Sequence, residues 1–431
     1  MSLMTLPRKA PMSTGLKQAC ILAAFSAAAT VAAAQTAEVR PIRIGVLLVT
    51  EGPLASLGED ARRGMELALA EFEGKVAGRP VVVIREGTNA TPDSALQKAR
   101  KLVEQDRVDV LVGPLSGGEG LAIKAYAKTL PNRVFVNGTG AAQDTTLRDP
   151  APNFFSFSTD GAQRVAGLGS YVYDTKGYRN VAVVAEDYAF PYAQVAGFVT
   201  EFCGRGGKIA DRFWVPLGTK DYSTVIARIP ASADAVFVVL GGADAVNFLS
   251  QYVQAGGKAP LIGGSITVDS AVLNSKGPFR KRMVGIPSAS SSADEYDHPA
   301  WTKFVNAYRA NDKHALPFPS SMAHGYYISM KATLLGLEAV QGRVEGDGMQ
   351  SLGKALQSLV FETPTGLIRL DGNRQAVADI LVTEVVQMPD GKLANKVVKV
   401  VPQVNATLNR PREAFLSLIH ISEPTRPERI S

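Results

Sequence analysis

The chain has 431 residues, of which 46% are hydrophobic and 20% are charged, a balance typical of packed globular proteins. Its length suits two domains of ordinary size. The formal net charge is +6, but residues 1–34 contribute three basic side chains and no acidic one, which leaves +3 for the rest of the chain. This weak excess, without a basic stripe, gives no support for nucleic-acid binding.

Residues 1–34 have the features of a secretory signal peptide. Three basic side chains precede an apolar run from Ala19 to Ala34, and the run ends in three alanines, a small-residue cleavage site. The run is too short and too rich in alanine for a stable membrane span, and no later stretch reaches about 18 apolar residues. We therefore expect cleavage near Ala34 and export of a soluble mature protein.

From Ile42 onward, buried-strand patterns alternate with amphipathic-helix patterns. The first series of predicted strands comprises Ile42–Val49, Val81–Ile84, Val108–Val112 and Val134–Val136. Each strand–helix unit takes about 25–35 residues, the size of a right-handed crossover between parallel strands. The strands are continuous Val, Ile and Leu runs, which is typical of a sheet covered by helices on both faces.

A second series repeats this rhythm. Its predicted strands are Val181–Ala185, Ile209–Val215, Ala235–Leu240, Leu261–Ile262 and Met283–Ile286. The repetition predicts an α/β fold with two Rossmann-like lobes, each built on a parallel sheet. Because such a fold outside the cytoplasm lacks a nucleotide supply, export favours a binding role over a cofactor enzyme.

The C-terminal third carries further helices and strands that must return to both lobes. The predicted helices are Trp301–Arg309, Met322–Gln341 and Leu352–Leu359, and the predicted strands are Leu367–Leu370, Ile380–Met388 and Val397–Val401. The pattern breaks near Ser156–Ser158, Pro287–Ser292 and Phe361–Gly366. These breaks predict a three-strand hinge between an N-terminal lobe (35–157 with 288–362) and a C-terminal lobe (158–287 with 363–412).

The last residues, 416–431, read differently from the rest, with Pro, Arg and Glu but no periodicity. The segment resembles the translated adapter sequence found at the end of some chains. We interpret it as a non-native tail, with a native disordered tail as the alternative, and assign it no function.

Two glycine-rich loops follow predicted strands of the first lobe. Gly113 to Gly118 leaves one strand and opens a helix, and Asn137 to Ala142 leaves the next strand. A helix N-terminus offers free N–H groups and a partial positive charge, so the first loop suits a carboxylate or phosphate. Ser116 could contribute its hydroxyl to a ligand or simply cap the helix. Ligands in open α/β sheets bind at such carboxyl ends of strands.

Two loops of the second lobe are also candidates. Residues 186–192, with Tyr188 and Tyr192, could form an aromatic wall of a ligand site or a locally packed surface loop. Asp244, which follows Gly241 and Gly242, is either an acceptor for a cationic ligand group or the cap of the next helix.

No catalytic or metal-binding constellation emerges. The chain lacks a Gly-x-Ser-x-Gly elbow, and its histidines, His298, His314, His324 and His420, have no metal-ligand spacing. Cys203 is the only cysteine outside the signal segment, so no intrachain disulfide forms in the mature chain. We expect Cys203 to be a core residue. The sequence therefore predicts no enzyme, no cofactor and no metal.

Three segments together resemble the leucine/isoleucine/valine-binding family of periplasmic solute-binding proteins. Residues 44–68 combine Ile44-Gly45-Val46, Gly52-Pro53-Leu54-Ala55 and Arg63-Gly64-Met65. Residues 99–114 continue with Ala-Arg-Lys-Leu-Val and Val-Gly-Pro, and residues 220–229 begin Lys-Asp-Tyr-Ser. The resemblance covers residues 42–405.

This resemblance implies a two-lobed type I binding protein, in the periplasm and monomeric, that passes a small molecule to the permease and ATPase subunits of an ABC importer. It implies that a ligand carboxylate is held by Ser116, Gly117 and Gly118 and by the loop of Gly138, Thr139, Gly140 and Ala141. It also implies that Tyr188 or Tyr192 closes over the ligand and that Asp244 accepts an ammonium group in an amino-acid binder.

The candidate loops depart from the family pattern in one respect. They carry fewer hydroxyl groups than usual after Gly-Pro and after the next strand, while Tyr188, Phe190 and Tyr192 add aromatic surface. An aromatic or apolar acid therefore stands beside a branched-chain amino acid as a possible ligand. The alternatives to transport are a ligand sensor that signals to a regulator or receptor, and an exported α/β enzyme.

Overall fold

The central strand of the first lobe shows how the sequence dictates this architecture. A computed structural model describes Met1 and residues 40–419; the predicted signal peptide and residues 420–431 of the predicted tail lie outside the described residues, except Met1. Strand β1, Ile42–Val49, is an almost unbroken apolar run that pairs in parallel with β3 on one side and β4 on the other. Both of its faces are therefore covered, as continuous apolar strands require.

The elements are numbered in chain order over the described residues. The strands are β1 Ile42–Val49, β2 Lys75–Val76, β3 Arg79–Thr88, β4 Val110–Val112, β5 Val134–Val136, β6 Phe154–Phe155, β7 Asn180–Glu186, β8 Lys208–Val215, β9 Ala235–Val239, β10 Leu261–Gly263, β11 Pro287–Ser290, β12 Phe361–Thr363, β13 Gly366–Leu370, β14 Ala376–Gln387 and β15 Leu393–Val404. The α-helices are α1 Ala55–Glu71, α2 Pro92–Arg100, α3 Gly117–Lys128, α4 Leu168–Asp174, α5 Ala189–Gly204, α6 Ser223–Arg228, α7 Gly242–Gln254, α8 Ser270–Leu273, α9 Arg280–Met283, α10 Pro299–Asn311, α11 Ser321–Ala339, α12 Gly348–Ser358 and α13 Arg412–Ile419.

Two largely parallel sheets form the lobes. The first has the order β2-β3-β1-β4-β5-β6, with only β2 antiparallel to its neighbour. The second has the order β10-β9-β7-β8 and is parallel throughout. The predicted α/β class with parallel sheets in two lobes is confirmed, because strand–helix units alternate along both sheets.

A third, antiparallel sheet joins the C-terminal strands. Its order is β11-β14-β13-β12, and β15 pairs with β14. The predicted strand Met283–Ile286 is wrong: the chain forms the short helix α9 up to Met283, and the strand is Pro287–Ser290. Gly285 takes a φ of +86° and interrupts the extended chain; Met283 and Ile286 are buried, whereas Val284 is exposed.

The first lobe is packed around the long helix α11. This helix is buried on nearly all sides and lies against α1. The contact is close because a Cβ atom on Gly64 would clash with the carbonyl oxygen of Ala323. Asp60 of α1 accepts a hydrogen bond from the backbone N–H of Ser320 (2.8 Å), just before α11, and another from the hydroxyl of Tyr308. These contacts fix the N-terminus of α11.

A buried glutamine ties the first predicted crossing between the lobes, Ser156–Ser158, to residues 371–375. The side-chain amide of Gln375 donates to the carbonyl of Ser158 (2.8 Å) and to the side chain of Gln163 (2.9 Å), and Gln375 is fully buried. Ile368 of β13 packs in the buried cluster of the first lobe, whereas Ile380 of β14 packs in the second. The predicted lobe limits stay a prediction, and this packing favours placing the last crossing at 371–375.

The structure differs from two other predictions, on Cys203 and on the start of the C-terminal tail. Cys203 is exposed, so its prediction as a core residue is wrong; the neighbouring Phe202 takes the buried face of α5 instead. The predicted tail 416–431 begins inside α13, Arg412–Ile419, whose Phe415 is buried. Within the described residues, no helix has the length and apolarity to cross a membrane.

Candidate ligand-binding site

A cavity lies where the loops at the strand ends of the two lobes meet. Its volume is about 20 Å³ in this structure, room for about one water molecule. The first lobe contributes Leu54, Leu57, Leu115, Ser116, Gly117, Thr139 and Met322, and the second contributes Arg164, Tyr188, Phe190 and Ile266. This position agrees with the rule that open α/β sheets bind ligands at the carboxyl ends of their strands.

The loop after β4 presents the N-terminus of α3 to the cavity. The hydroxyl of Ser116 caps this helix by accepting from the N–H of Glu119 (3.3 Å), and it donates to the carbonyl of Ala90 (3.0 Å). The N–H groups of Gly117 and Gly118 have no acceptor among the described residues. The helix cap predicted as the alternative role of Ser116 is therefore present, and the free amides at this end can receive an anion.

In the loop after β5, most hydrogen-bond donors already have acceptors within the protein. The N–H groups of Thr139 and Gly140 both donate to the carbonyl of Pro114 (3.0 and 3.2 Å), and the Thr139 hydroxyl donates to the carbonyl of Leu115 (3.1 Å). Gly138 is a close-packing position, since a Cβ atom there would meet the ring of Tyr326. Thr139 lines the cavity, whereas Gly138, Gly140 and Ala141 are not among the residues that line it.

Arg164 is the lining residue that sequence analysis missed. Its side chain is 1% exposed. The guanidinium donates to the carbonyl of Thr159 (3.1 Å), to the hydroxyl of Ser158 (2.9 Å) and to the carbonyl of Thr139 (3.5 Å), all neutral oxygens. It also lies 5.6 Å from the ring centre of Phe190. Burial lowers the pKa of Arg164 to about 10, so the side chain stays charged at neutral pH.

The two candidate tyrosines of the second lobe differ in their position relative to the cavity. Tyr188 lines the cavity beside Phe190, with 6.3 Å between ring centres. Burial, together with the neighbouring Glu186, raises the pKa of Tyr188 well above its usual value. Tyr192 lies outside the cavity lining: its ring packs edge-on against Trp214 at 4.6 Å, and its hydroxyl donates to Asp187.

Behind Tyr188, two acidic side chains and a tyrosine are buried in the second lobe. Glu186 accepts from the N–H of Gly241 (3.0 Å), and Asp244 accepts from the N–H of Gly218 (2.5 Å). One oxygen of each carboxyl and the hydroxyl of Tyr222 have no hydrogen-bond partner within the structure. Burial raises the pKa of Glu186 to about 8 and raises that of Asp244. Neither carboxyl lines the cavity.

The lobes touch each other around the cavity. The N–H of Ala243 donates to the carbonyl of Pro53 (3.3 Å), and a Cβ atom on Gly117 would lie 3.0 Å from the backbone nitrogen of Phe190. On the other side, Asp269 of the second lobe accepts from both the N–H (2.9 Å) and the hydroxyl (2.7 Å) of Ser321. The structure is therefore a closed arrangement of the two lobes.

The described residues hold no group of three or more His, Cys, Asp or Glu side chains arranged to bind a metal ion. Of the ten residues predicted to bind a ligand, Ser116, Gly117, Thr139 and Tyr188 line the cavity, and Gly118 lies beside it at the start of α3. Arg164 could have been noticed as a charged residue in a segment that is otherwise rich in small and apolar side chains, residues 161–169.

Comparison with known proteins places this geometry in context. A family model described as "Periplasmic binding protein" matches residues 41–392. The chain is 27% identical over 385 residues to "Leu/Ile/Val-binding protein homolog 6" of Brucella melitensis biotype 1, covering 87% of this chain and 94% of that protein.

Two solved structures are similar over most of their length. An ABC transporter substrate-binding protein from Sphaerobacter thermophilus is 33% identical, with a TM-score of 0.76, covering 84% of this chain and 98% of that one. A solute-binding protein of an ABC transporter from Rhodopseudomonas palustris BisB5, in complex with 3,4-dihydroxybenzoic acid, is 25% identical, with a TM-score of 0.77, covering 85% and 98%. Both chains are thus matched almost from end to end.

Proposed function

Because the chain belongs to the periplasmic binding protein family, whose members are transport components rather than enzymes, we propose that it is the extracytoplasmic solute-binding component of an ABC importer. It binds a small carboxylate, an amino acid or an aromatic or apolar acid, in the cavity between its lobes. The similarity to a substrate-binding protein of this transporter class at 33% identity supports the proposal. A second similar protein holds a carboxylic acid, 3,4-dihydroxybenzoic acid.

The observation that carries the proposal is the composition of the cavity wall. The free N–H of Gly117 at the start of α3 and the buried guanidinium of Arg164 both lie at the cavity. A helix N-terminus and an arginine are both groups that bind carboxylates in proteins. The remaining wall is mostly apolar, as in most small-molecule sites.

The proposed site comprises all ten residues named from the sequence, with unequal support. The cavity lining favours Ser116, Gly117, Thr139 and Tyr188 as direct contacts. The other predicted contacts are Gly118, Gly138, Gly140, Ala141, Tyr192 and Asp244.

The proposed cycle uses closure of the lobes. The solute first binds one lobe, then bridges both, and its contacts with the second lobe exist only in the closed form. This differential affinity shifts the population toward closure, and a change from mostly open to mostly closed needs about 5 kcal/mol. The closed monomer then docks on the permease, and the ATPase subunits drive uptake. The protein acts in the periplasm after cleavage near Ala34.

A thermal-shift screen of the chain starting at Gln35 tests this function. A specific ligand at a hundredfold excess over its Kd stabilises the protein by about 2.7 kcal/mol. Amino acids, aromatic acids and aliphatic acids are the compounds to screen, and calorimetry then gives the Kd of each hit.

Variants test whether a compound found in the screen binds in the cavity. Ser116→Ala and Tyr188→Ala are expected to weaken binding. Tyr252→Phe is the matched control, because the Tyr252 hydroxyl donates to the carbonyl of Ala259 (2.9 Å) and the residue does not line the cavity. If neither Ser116→Ala nor Tyr188→Ala changes the Kd of a confirmed ligand, the proposed site is wrong.

A further inference from the structure

The cavity has an unbalanced charge. Among the described residues that line it, Arg164 alone carries a charged side chain. No carboxylate oxygen of a described residue lies within 4 Å of its guanidinium, and Nη1 has no hydrogen-bond acceptor among these residues. Burying a charge without a partner is costly unless a counter-ion is supplied. The missing counter-ion is therefore an anion inside the cavity.

The acidic groups near the cavity supply only part of that balance: Asp160 and Asp269 attract the Arg164 guanidinium, but neither forms an ion pair with it. Asp160 precedes Arg164 by one helical turn; one of its carboxyl oxygens accepts from the N–H of Gln163 (2.9 Å), and the other has no hydrogen-bond partner among the described residues. Glu186 and Asp244 lie behind Tyr188 and outside the lining. Burial raises the pKa of Asp160 to about 7 and that of Glu186 to about 8, so both carry less negative charge at neutral pH than ordinary carboxyl groups.

An ammonium group would thus find no good acceptor here. In an α-amino acid the ammonium is two bonds from the carboxylate, so it would enter the cavity close to the Arg164 guanidinium. It would meet a like charge and lose its hydration without an anionic partner, and both effects oppose binding. The apolar side chains of Leu54, Ile266 and Met322 suit a hydrocarbon or aromatic body instead.

From these contacts we infer, given the proposed function, that the transported solute is a monocarboxylate without an ammonium group and that Arg164 is the residue that selects it. The guanidinium binds the carboxylate, and the ring centre of Phe190 lies 5.6 Å from the guanidinium carbon. The apolar wall holds the body of the acid. The site therefore selects by charge, because acids and amino acids with the same carbon skeleton differ at the one position that faces Arg164.

Matched ligand pairs test the inference on the unaltered protein. Calorimetry compares 3-phenylpropanoate with L-phenylalanine, and 4-methylpentanoate with L-leucine. In every pair that shows binding, the acid is expected to bind at least a hundredfold more tightly than the amino acid. A pair in which the amino acid binds as tightly as its acid, or more tightly, overturns the inference while leaving the proposed function intact.

Variants test the role of Arg164 itself. Arg164→Met is expected to raise the Kd of the acid at least a hundredfold, and Arg164→Lys to recover part of the loss. Arg374→Met is the matched control, since this partly buried arginine donates to the carbonyl of Ala151 (3.1 Å), away from the cavity. Circular dichroism verifies that each variant is folded; if Arg164→Met does not fold, the ligand pairs alone decide.

The outcomes separate the inference from the function on which it rests. A folded Arg164→Met protein that binds the acid normally overturns the role of Arg164. If neither acids nor amino acids bind, or if Gly117→Leu, which fills the cavity edge, leaves binding unchanged, then the proposed cleft function fails, and the inference fails with it.

Discussion

Replacing Asp269 by asparagine should weaken ligand binding without removing any group that touches the ligand. One carboxylate oxygen of Asp269 accepts hydrogen bonds from the N–H (2.9 Å) and the hydroxyl (2.7 Å) of Ser321 across the closed lobes. Ser321 is the first residue of α11, whose N-terminus favours a negative charge. If the lobes separate in the open state, this contact exists only in the closed state.

The magnitude follows from the two hydrogen bonds. A hydrogen bond to a charged group contributes about 1.5–3 kcal/mol and a neutral one about 1 kcal/mol. Asparagine keeps one neutral acceptor but loses the charge and part of the pairing, so the closed state should lose about 2 kcal/mol. This corresponds to an increase in Kd of about 30-fold.

The assay is calorimetric titration of the same carboxylate ligand at pH 8, since burial raises the pKa of Asp269 and a higher pH favours its charged form. A double-mutant cycle with Ser321→Ala isolates the pair. Asp109→Asn is the control: this buried carboxyl accepts from the N–H of Arg43 (2.9 Å) within the first lobe and does not line the cavity. An unchanged Kd for Asp269→Asn with a lower melting temperature would refute closure through this contact.

Three further predictions concern stability. Gly64→Ala should destabilise the fold by about 1–3 kcal/mol through overpacking, because the new Cβ atom clashes with the carbonyl of Ala323. Urea denaturation measures this loss of stability. An unchanged free energy of unfolding would mean that α1 and α11 shift freely. Gln375→Ala should cost at least about 2 kcal/mol in the same assay, since it removes the buried bonds between two crossings. For Glu186, burial raises the pKa from 4.5 to about 8, so the folded state holds a proton that the unfolded state releases and stability falls as pH rises through this range. Glu186→Gln should flatten that fall in melting curves from pH 5 to pH 9, and an unchanged pH profile would contradict the assigned pKa.

The strands of the parallel sheets could be predicted because burial on both faces leaves a plain signal in the sequence. Ile42–Val49 and Val134–Val136 are observed with their predicted bounds. In the antiparallel sheet, the predicted strands Leu367–Leu370, Ile380–Met388 and Val397–Val401 overlap β13, β14 and β15. Their pairing was not predicted, because it depends on distant segments. The predicted strand Met283–Ile286 failed because periodicity does not reveal the backbone turn at Gly285.

The candidate site was predictable in position but not in detail. Glycine-rich loops after strands pointed to the correct edge of the sheets, and Ser116, Gly117 and Thr139 line the cavity there. The sequence does not show which amides are already used; the carbonyl of Pro114 occupies those of Thr139 and Gly140. Arg164 was missed because it follows no strand of the sheet and lies in a single 3-10 turn, Gln163–Val165.

The exposed position of Cys203 has a practical consequence. After residue 34 the sequence contains no other cysteine, and this thiol sits near the C-terminal end of α5, whose N-terminal end carries Phe190 at the cavity. A helix of this length separates its two ends by about 20 Å. A maleimide dye or surface tether therefore attaches to the mature protein at a single site, with no engineered thiol, and leaves the cavity walls unmodified.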